Sequence, residues 1–389
     1  MQHSFIGRLL VAAVATLASG EVHARAVHVA SPSAIIAAVN GARAGDVITV
    51  APGHYDLPGL RMTASGTVRH PIVLRALKPG TVELRSSAVE FMKISAPDWV
   101  VENLDIAGSC SDDSECEHAF HIVARADRTI IRGNRIRDYN AHVKGNGENG
   151  RFPNDVVIED NTFFDTHLRV TDNPIAPIDV VGGARWTVRG NLIADFAKRL
   201  DHPPTRTDDW SYALFIKGNS ERAMVAGNIV GCAVAAPLAH SVRGISLGAS
   251  GTGPGLCDKG GECRTEHRQG TIWGNMVLNC RAEAGIYLFQ AEDTLVAGNV
   301  VVGTSGIAAV GIETNARVSG NTFDGAIDAN GGATVTGTKD NVRLSPAAAR
   351  EHYVLPLLGK APAKGDNGVA QAAKRIAAYR AYRAALMKR

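Results

Sequence analysis

Lysine, histidine and aspartate recur at one phase of a series of short apolar strands. The segments are "AFHIVAR", "AHVKGN", "PIDVVGG", "LFIKGN", "GISLGA" and "GIYLFQ". Side chains of a strand alternate between its two faces. With Phe120, Ile178, Leu214, Ile245 and Ile286 turned inward, one outward column reads His121, His142, Asp179, Phe215, Ser246 and Tyr287. The next column reads Val123, Lys144, Val181, Lys217, Gly248 and Phe289. His240, Arg243 and His267 lie in or beside the neighbouring loops. Cations on adjacent strands, ~4.8 Å apart, concentrate positive charge on one face.

Such a cluster could cut a uronate polysaccharide by β-elimination. A base removes the weakly acidic proton at C5, beside the carboxylate, and the oxygen on C4 leaves. Cations or a metal must neutralise the carboxylate and stabilise the developing enediolate. A lysine acts as base when neighbouring positive charge lowers its pKa. Lys217, beside Lys144 and Arg243, meets that requirement on the sequence pattern. Arg243, Tyr287 or His267 would bind the carboxylate or protonate the leaving oxygen. Lys217, Arg243 and His267 are therefore the candidate catalytic residues. His121, His142, Lys144, Asp179, His240 and Tyr287 are candidate substrate contacts.

The element that must hold these residues is a repeat. "WVVENLDI", "TIIRGNRI", "VVIEDNTF", "WTVRGNLI", "AMVAGNIV", "TIWGNMV", "TLVAGNVV", "ARVSGNTF" and "TKDNVRL" share an Asn at 103, 134, 161, 191, 228, 275, 299, 321 and 341. The spacing falls to the low twenties and lengthens where loops are inserted, the mark of stacked units. Each unit has β-branched alternation, a Gly-Asn or Asp-Asn turn and a further short strand. The Leu-x-x-Leu-x-Leu frame of leucine-rich repeats is absent. The expected fold is all-β, a right-handed parallel β-helix with three short strands per coil. Asn tolerates the left-handed turn, and its amide can stack on the Asn one coil away.

Both ends fit a solenoid. "SPSAIIAAVNGARAGDVITV" has a Ser/Pro helix start and helical apolar spacing, which predicts a helix capping the first coil. "NGVAQAAKRIAAYRAYRAALMKR" predicts a basic C-terminal helix, packed over the last coil or along it by Ile376, Tyr379 and Leu386. The long segments 108–118, 138–154, 165–177, 197–211 and 232–243 are expected along one side of the strand ladder, and 249–269 along the other. Long loops on a regular scaffold point to a walled groove suited to a polymer.

The chain of 389 residues starts with Arg8, an apolar run from Leu9 to Leu17 and small residues near "ARA". That order predicts a secretory leader over 1–26, too short to span a membrane. The expected layout is then a β-helix domain over 27–345 and a C-terminal extension over 346–389. The formal charge of +3 misleads. Residues 360–389 carry eight Lys/Arg against one Asp, and with +7 there and +1 in the leader the body carries −5. No nucleic-acid partner and no membrane span are expected, and a monomer in the periplasm or outside the cell is. Six cysteines in an exported chain predict the pairs Cys110–Cys116, Cys232–Cys280 and Cys257–Cys263, because Cys-x-x-Cys zinc spacing is absent. No Gly-rich phosphate loop and no G-x-S-x-G elbow occurs.

"AIIAAVNGARAGDVITVAPGHYD" followed by "HPIVLRALKPGTVELRSS" resembles the opening of the chondroitinase-B and alginate-lyase type of polysaccharide lyase, within the pectin-lyase-like β-helix superfamily. The resemblance implies a catalytic lysine on a groove strand ahead of a Gly-Asn turn, echoed by "FIKGNSERAMVAGN" at Lys217, two residues off the family register. The family's Arg-His-Gly phrase is replaced by "ISLGASG", with Arg243 just upstream. Calcium is the cofactor the resemblance allows, with Asp208 and Asp209 as the nearby acidic pair. A polygalacturonase-like inverting hydrolase is the second reading, on Asp179, Asp208, Asp209 and His240 in "DDWSYALFIKG" and "HSVRGISLGASG". It would require two carboxylates of different pKa. A non-catalytic glycan-binding or export protein is the third.

Overall fold

The computed structural model describes residues 24–199, 211–232, 234, 241–249, 251–280, 283–360 and 367–388. Its strands build three long sheets of 12, 11 and 10 members plus a small one of three. In each long sheet the spatial order follows the chain order with other strands interposed, and the strand pairs are parallel. The chain therefore visits the three sheets in rotation, coil after coil. This is a right-handed parallel β-helix, as the repeat implies.

The interior is a set of aliphatic stacks. Ile131, Ile158, Val188, Val225, Ile272, Val296 and Val318 pair rung on rung in the 12-stranded sheet, and each is fully buried. Burying one such side chain contributes about 2 kcal/mol. The stack forms because the strand period of two turns every second residue inward.

The corner after that sheet carries the asparagine ladder. Asn134, Asn161, Asn191, Asn228, Asn275, Asn299, Asn321 and Asn341 form a chain in which each Nδ2 donates to the Oδ1 of the Asn on the next coil, as far as Asn341. At the centre, Asn228 Oδ1 accepts from both the backbone N and Nδ2 of Asn191 at 2.9 Å. Asn228 in turn donates from Nδ2 to Val188 O and to Asn275 Oδ1, each at 2.9 Å.

Two expectations need correction here. The left-handed residue is the one before each ladder Asn from 134 to 321, such as Gly133, Asp160, Gly190 and Gly227 with φ of 64°, 54°, 64° and 62°. Asn103 is no ladder member: Glu102 pairs with Arg132, so Asn103 aligns with Gly133 and takes its left-handed place at φ 63°. Leu104 stands at the ladder position instead, and its N–H donates to Asn134 Oδ1 at 3.0 Å.

The helix Pro32–Asn40 is capped by Ser31, whose Oγ accepts from Ala34 N at 3.2 Å, and buries Ile35 and Val39 against the first coil. The helix Asn367–Leu386 lies along the coil, on the outer face of the 11-stranded sheet. That face is apolar, with Phe164, Leu192, Ala194, Ile229, Leu278 and Val302, and receives Ala372, Ile376 and Tyr379. Several of the helix's cations bind the scaffold: Arg375 donates to Gly190 O at 2.6 Å and Arg383 to Thr166 O at 2.7 Å. No helix among the described residues is long and apolar enough to cross a membrane. The three disulfides are Cys110–Cys116, Cys232–Cys280 and Cys257–Cys263.

Asn228→Ala leaves two donors of Asn191 without their acceptor inside the stack. It should destabilise the fold by about 3 kcal/mol. Asn341→Ala, at the partly exposed end of the ladder, should cost about 1 kcal/mol. Thermal and urea unfolding of the two variants measure the contrast.

Candidate active site

The 10-stranded sheet carries one continuous outward row. Its register runs Arg61, Lys93, His121, Lys144, Asp179, Phe215, Ser246, Tyr287, Ala308 and Asp328. A second row, two residues further along each strand, contains Val123, Asn146, Val181 and Lys217. Lys144 thus belongs to the row of Asp179, and Asn146 to that of Lys217. The sequence pattern had placed "AHVKGN" two residues out of step.

The strand starts depart from simple alternation. Phe91, Ala119, His142 and Ala213 stand two residues before the outward row, yet all are fully buried. The residues three before, Glu90, His118, Tyr212 and Arg243, return to the outer side. His118 lies 5.1 Å from the His121 ring, Tyr212 lies 5.5 Å from Phe215, and Arg243 lies 4.1 Å over the ring of Tyr287. The corner bends the backbone, so a period-two count fails there.

Lys217 sits at the end of the strand Ser211–Lys217, with Nζ 5.0 Å from the centre of the Phe215 ring. Burial pushes its pKa down, and Lys144 adds to that, while Asp179 and Glu266 oppose it. Lys144 Nζ donates to Asp179 Oδ2 at 2.7 Å. The other Asp179 oxygen is buried with no hydrogen-bond partner among the described residues. Glu266, 2% exposed, accepts from Gly218 N at 2.7 Å and Thr252 Oγ1 at 2.9 Å, and burial raises its pKa. His118 faces the same cluster. Burial, His121 and Lys144 lower its pKa to about 4, which keeps it neutral.

Beyond Phe215 lies a second cluster. Arg243 donates from Nη1 to Tyr212 Oη at 2.7 Å and from Nε to Glu283 Oε2 at 3.1 Å. Burial raises the pKa of both Tyr212 and Tyr287, so their phenols stay protonated. Tyr287 stacks near Phe289 with ring centres 6.3 Å apart. Phe215 lies between Lys217 and this aromatic group, so Lys217 and Arg243 are brought to one face without standing side by side as expected.

The expected surplus of positive charge is matched by carboxylates. Arg61 and His121 both bind Glu90, at 3.1 and 2.6 Å. His121 Nε2 also meets Asn146 Oδ1 at 2.7 Å. Lys93 pairs with Glu148, Lys144 with Asp179 and Arg243 with Glu283.

Loops flank both sides of this face. Before the strands, Asp113 of the 110–116 disulfide loop accepts from Val170 N at 2.7 Å and pairs with Arg169 at 2.8 Å. After the strands, residues 146–152 and 254–261 line a shared cavity of about 580 Å³. Part of the 138–154 segment therefore belongs to the opposite side from the one expected, because the strand Ala141–Asn146 runs through its middle.

Two candidate histidines leave the site. His142 is fully buried at the corner, 3.2 Å from Phe164 O, 3.4 Å from Asp165 and packed on Phe163. His267 is fully buried in the small sheet, where its Nε2 accepts from Ala223 N at 3.4 Å and burial lowers its pKa to about 3. Neither reaches a ligand in the groove. His240, Asp208 and Asp209 lie outside the described residues. Glu266, His118, Tyr212 and Glu283 are the members that sequence reasoning missed. Glu266 stands one residue before the candidate His267, within the segment 249–269.

The acidic pair named for calcium, Asp208 and Asp209, lies outside the described residues. Among the described residues, no His, Cys, Asp and Glu side chains form a group of three able to hold a metal. Asp179, Glu266 and Glu283 are held by Lys144, by Gly218 with Thr252, and by Arg243.

The chain matches no protein-family profile and no curated protein. Similar solved structures include an alginate lyase from Paenibacillus sp. str. FPU-7, at 15% identity and TM-score 0.46, covering 80% of this chain and 99% of that one. A mannuronan C-5 epimerase A-module from Azotobacter vinelandii is similar at 11% identity and TM-score 0.45, over 81% and 95% of the two chains. A pectate lyase is similar at 10% identity and TM-score 0.41, over 82% and 79%.

The buried histidines carry a pH signature. His267 and His118 have folded pKa values below the unfolded ~6.5, so the unfolded chain binds more protons below that pH. Stability should fall as pH drops from ~6.5 towards 4, by about 1.4 kcal/mol per pH unit for each histidine. His267→Gln should lower that slope by one proton, as read from unfolding midpoints across the pH range.

Proposed function

We propose that the chain is an exported polysaccharide lyase that cleaves a uronate-containing polymer by β-elimination on the 10-stranded face. The observation that carries this reading is Lys217, a lysine whose charge is disfavoured by burial, set beside the Lys144–Asp179 pair on a loop-flanked strand ladder. Its neutral amine takes the C5 proton of a bound uronate. The electron pair left on C5 forms the C4–C5 double bond, and the C4–O bond breaks. Lys144 and Arg243, on the two sides of Phe215, offer positive charge to the substrate carboxylate. Tyr212 accepts its hydrogen bond from Arg243, which leaves its own proton for the departing oxygen.

The described carboxylates do not favour the hydrolase reading, whose other candidates, Asp208, Asp209 and His240, lie outside the described residues. Asp179 is tied to Lys144, and Glu266 is 2% exposed behind Gly218. Neither offers the open acid and base pair that a displacement by water requires. Export, a β-helix domain over 27–345 and action as a monomer complete the reading, and the three disulfides support an oxidising compartment.

Purified protein incubated with alginate, pectate, chondroitin and glucuronan should generate the ultraviolet absorbance of an unsaturated uronate on at least one of them. New reducing ends without that absorbance would establish hydrolysis instead, and neither signal would leave a binding protein. Lys217→Ala should lower turnover roughly 10³-fold, and Arg243→Ala roughly 10²-fold. Because the base must be neutral, kcat/KM should fall as pH drops through the lowered pKa of Lys217. The Lys217→Ala variant should lack that acid limb.

A further inference from the structure

We propose that Glu266 is a positioning residue for Lys217, delivered by the segment that follows the Cys257–Cys263 loop to fix the turn after the lysine and to place a carboxylate beside its ammonium. The inference rests on the reading of Lys217 as the base and adds the group that governs it.

The strand Ser211–Lys217 ends in a turn with Gly218 and Asn219 in the left-handed region, at φ 77° and 62°. A Cβ on Gly218 would stand 2.6 Å from Val181 Cγ1 and 2.9 Å from Gly182 N, so only glycine fits. The segment closed by Cys257–Cys263 and the residues just after it grip this turn at successive points. Gly218 N donates to Glu266 Oε2 at 2.7 Å, and Asp258 N donates to Gly218 O at 2.9 Å. Asn219 Nδ2 donates to Asp258 O at 2.8 Å. Arg268 Nη1 donates to Asn219 Oδ1.

Room for the Glu266 side chain comes from the next coil. The row containing Val181 and Lys217 continues at Gly248, whose N–H donates to Ile216 O at 2.8 Å. A Cβ on Gly248 would lie 3.2 Å from Glu266 Cβ and 1.8 Å from Phe289 O. Glu266 therefore packs closely on Gly248, where any side chain would meet the Phe289 carbonyl first and Glu266 Cβ next. The charged groups acting on Lys217 are then Lys144 and Asp179 from the two preceding coils and Glu266 from the loop, with the Phe215 ring on its own strand. Asp179 already serves Lys144, whereas Lys217 is the cation that acts on the Glu266 carboxylate. Burial alone would favour the neutral amine, and Glu266 opposes it.

The test is the titration of Lys217, followed through its Cε resonance in lysine-labelled protein and assigned with Lys217→Arg. Glu266→Gln keeps the shape and a carbonyl able to accept from Gly218 and Thr252, but removes the charge. The Lys217 midpoint should move to lower pH, and the acid limb of kcat/KM should move with it. Glu266→Asp keeps the charge but withdraws it, so the midpoint should move the same way by less, with kcat down roughly tenfold and KM little changed. Should Glu266→Gln fail to fold, the Asp variant carries the test. An unmoved midpoint in a folded variant overturns the proposal. The titration needs no substrate. A wild-type protein inactive on every acidic glycan would sink the lyase reading, while a moved midpoint would still establish the coupling of Glu266 to Lys217.

Discussion

Rung-to-rung registry is the constraint on which everything else depends. Each coil can place a side chain only opposite its neighbours, because backbone pairing fixes the strand spacing at ~4.8 Å. The Asn ladder locks that registry at one corner, where Asn191, Asn228 and Asn275 meet both backbone and amide of the next coil. A slip by one residue would turn Ile158 and Val188 out of the core and Asp179 into it. The catalytic proposal inherits its geometry from this lock. Lys144, Asp179 and Lys217 come from segments more than seventy residues apart at their extremes, yet two pairings bring them together.

Regular coil was legible in the sequence, and irregular coil was not. The repeated Gly-Asn phrase shows where each turn falls, and the alternation in "LFIKGN" correctly turns Phe215 and Lys217 outward. The same reasoning misread the strand starts, where a corner returns His118 and Arg243 to the face after a buried residue. His142 was lost for that reason. The ladder also began one coil late, since Asn103 and Leu104 differ from Gly133 and Asn134 by a shift that composition does not show. The loops are harder still. Nothing local distinguishes Glu266 from His267, because which of them faces Lys217 depends on how the 251–266 segment lies on Gly218 and Gly248.

Charge pairing gives the face a different character from the one its cations suggest. Glu90, Glu148, Asp179 and Glu283 each hold a neighbouring cation in place. A polyanion arriving there meets ordered, pre-oriented donors, and must exchange with internal carboxylates to engage them. Such a surface favours specificity over sheer attraction. The aromatic run of Tyr212, Phe215, Tyr287 and Phe289 on the following coils supplies flat apolar area beside it.

The C-terminal helix runs back against the direction in which the coils grow. Val354 packs near Val302, Arg375 meets Gly190, Tyr379 meets Asp195 at 2.6 Å, and Tyr382 reaches the Arg135 guanidinium of an early coil. Residues 372–379 therefore cover an apolar strip laid down by coils far earlier in the chain. Until they arrive, Phe164, Leu192 and Ile229 stand open to water, and a chain cut short would keep them so. The strap makes synthesis through Leu386 a condition for hiding that strip, so a chain stopped before the helix is wound but sticky.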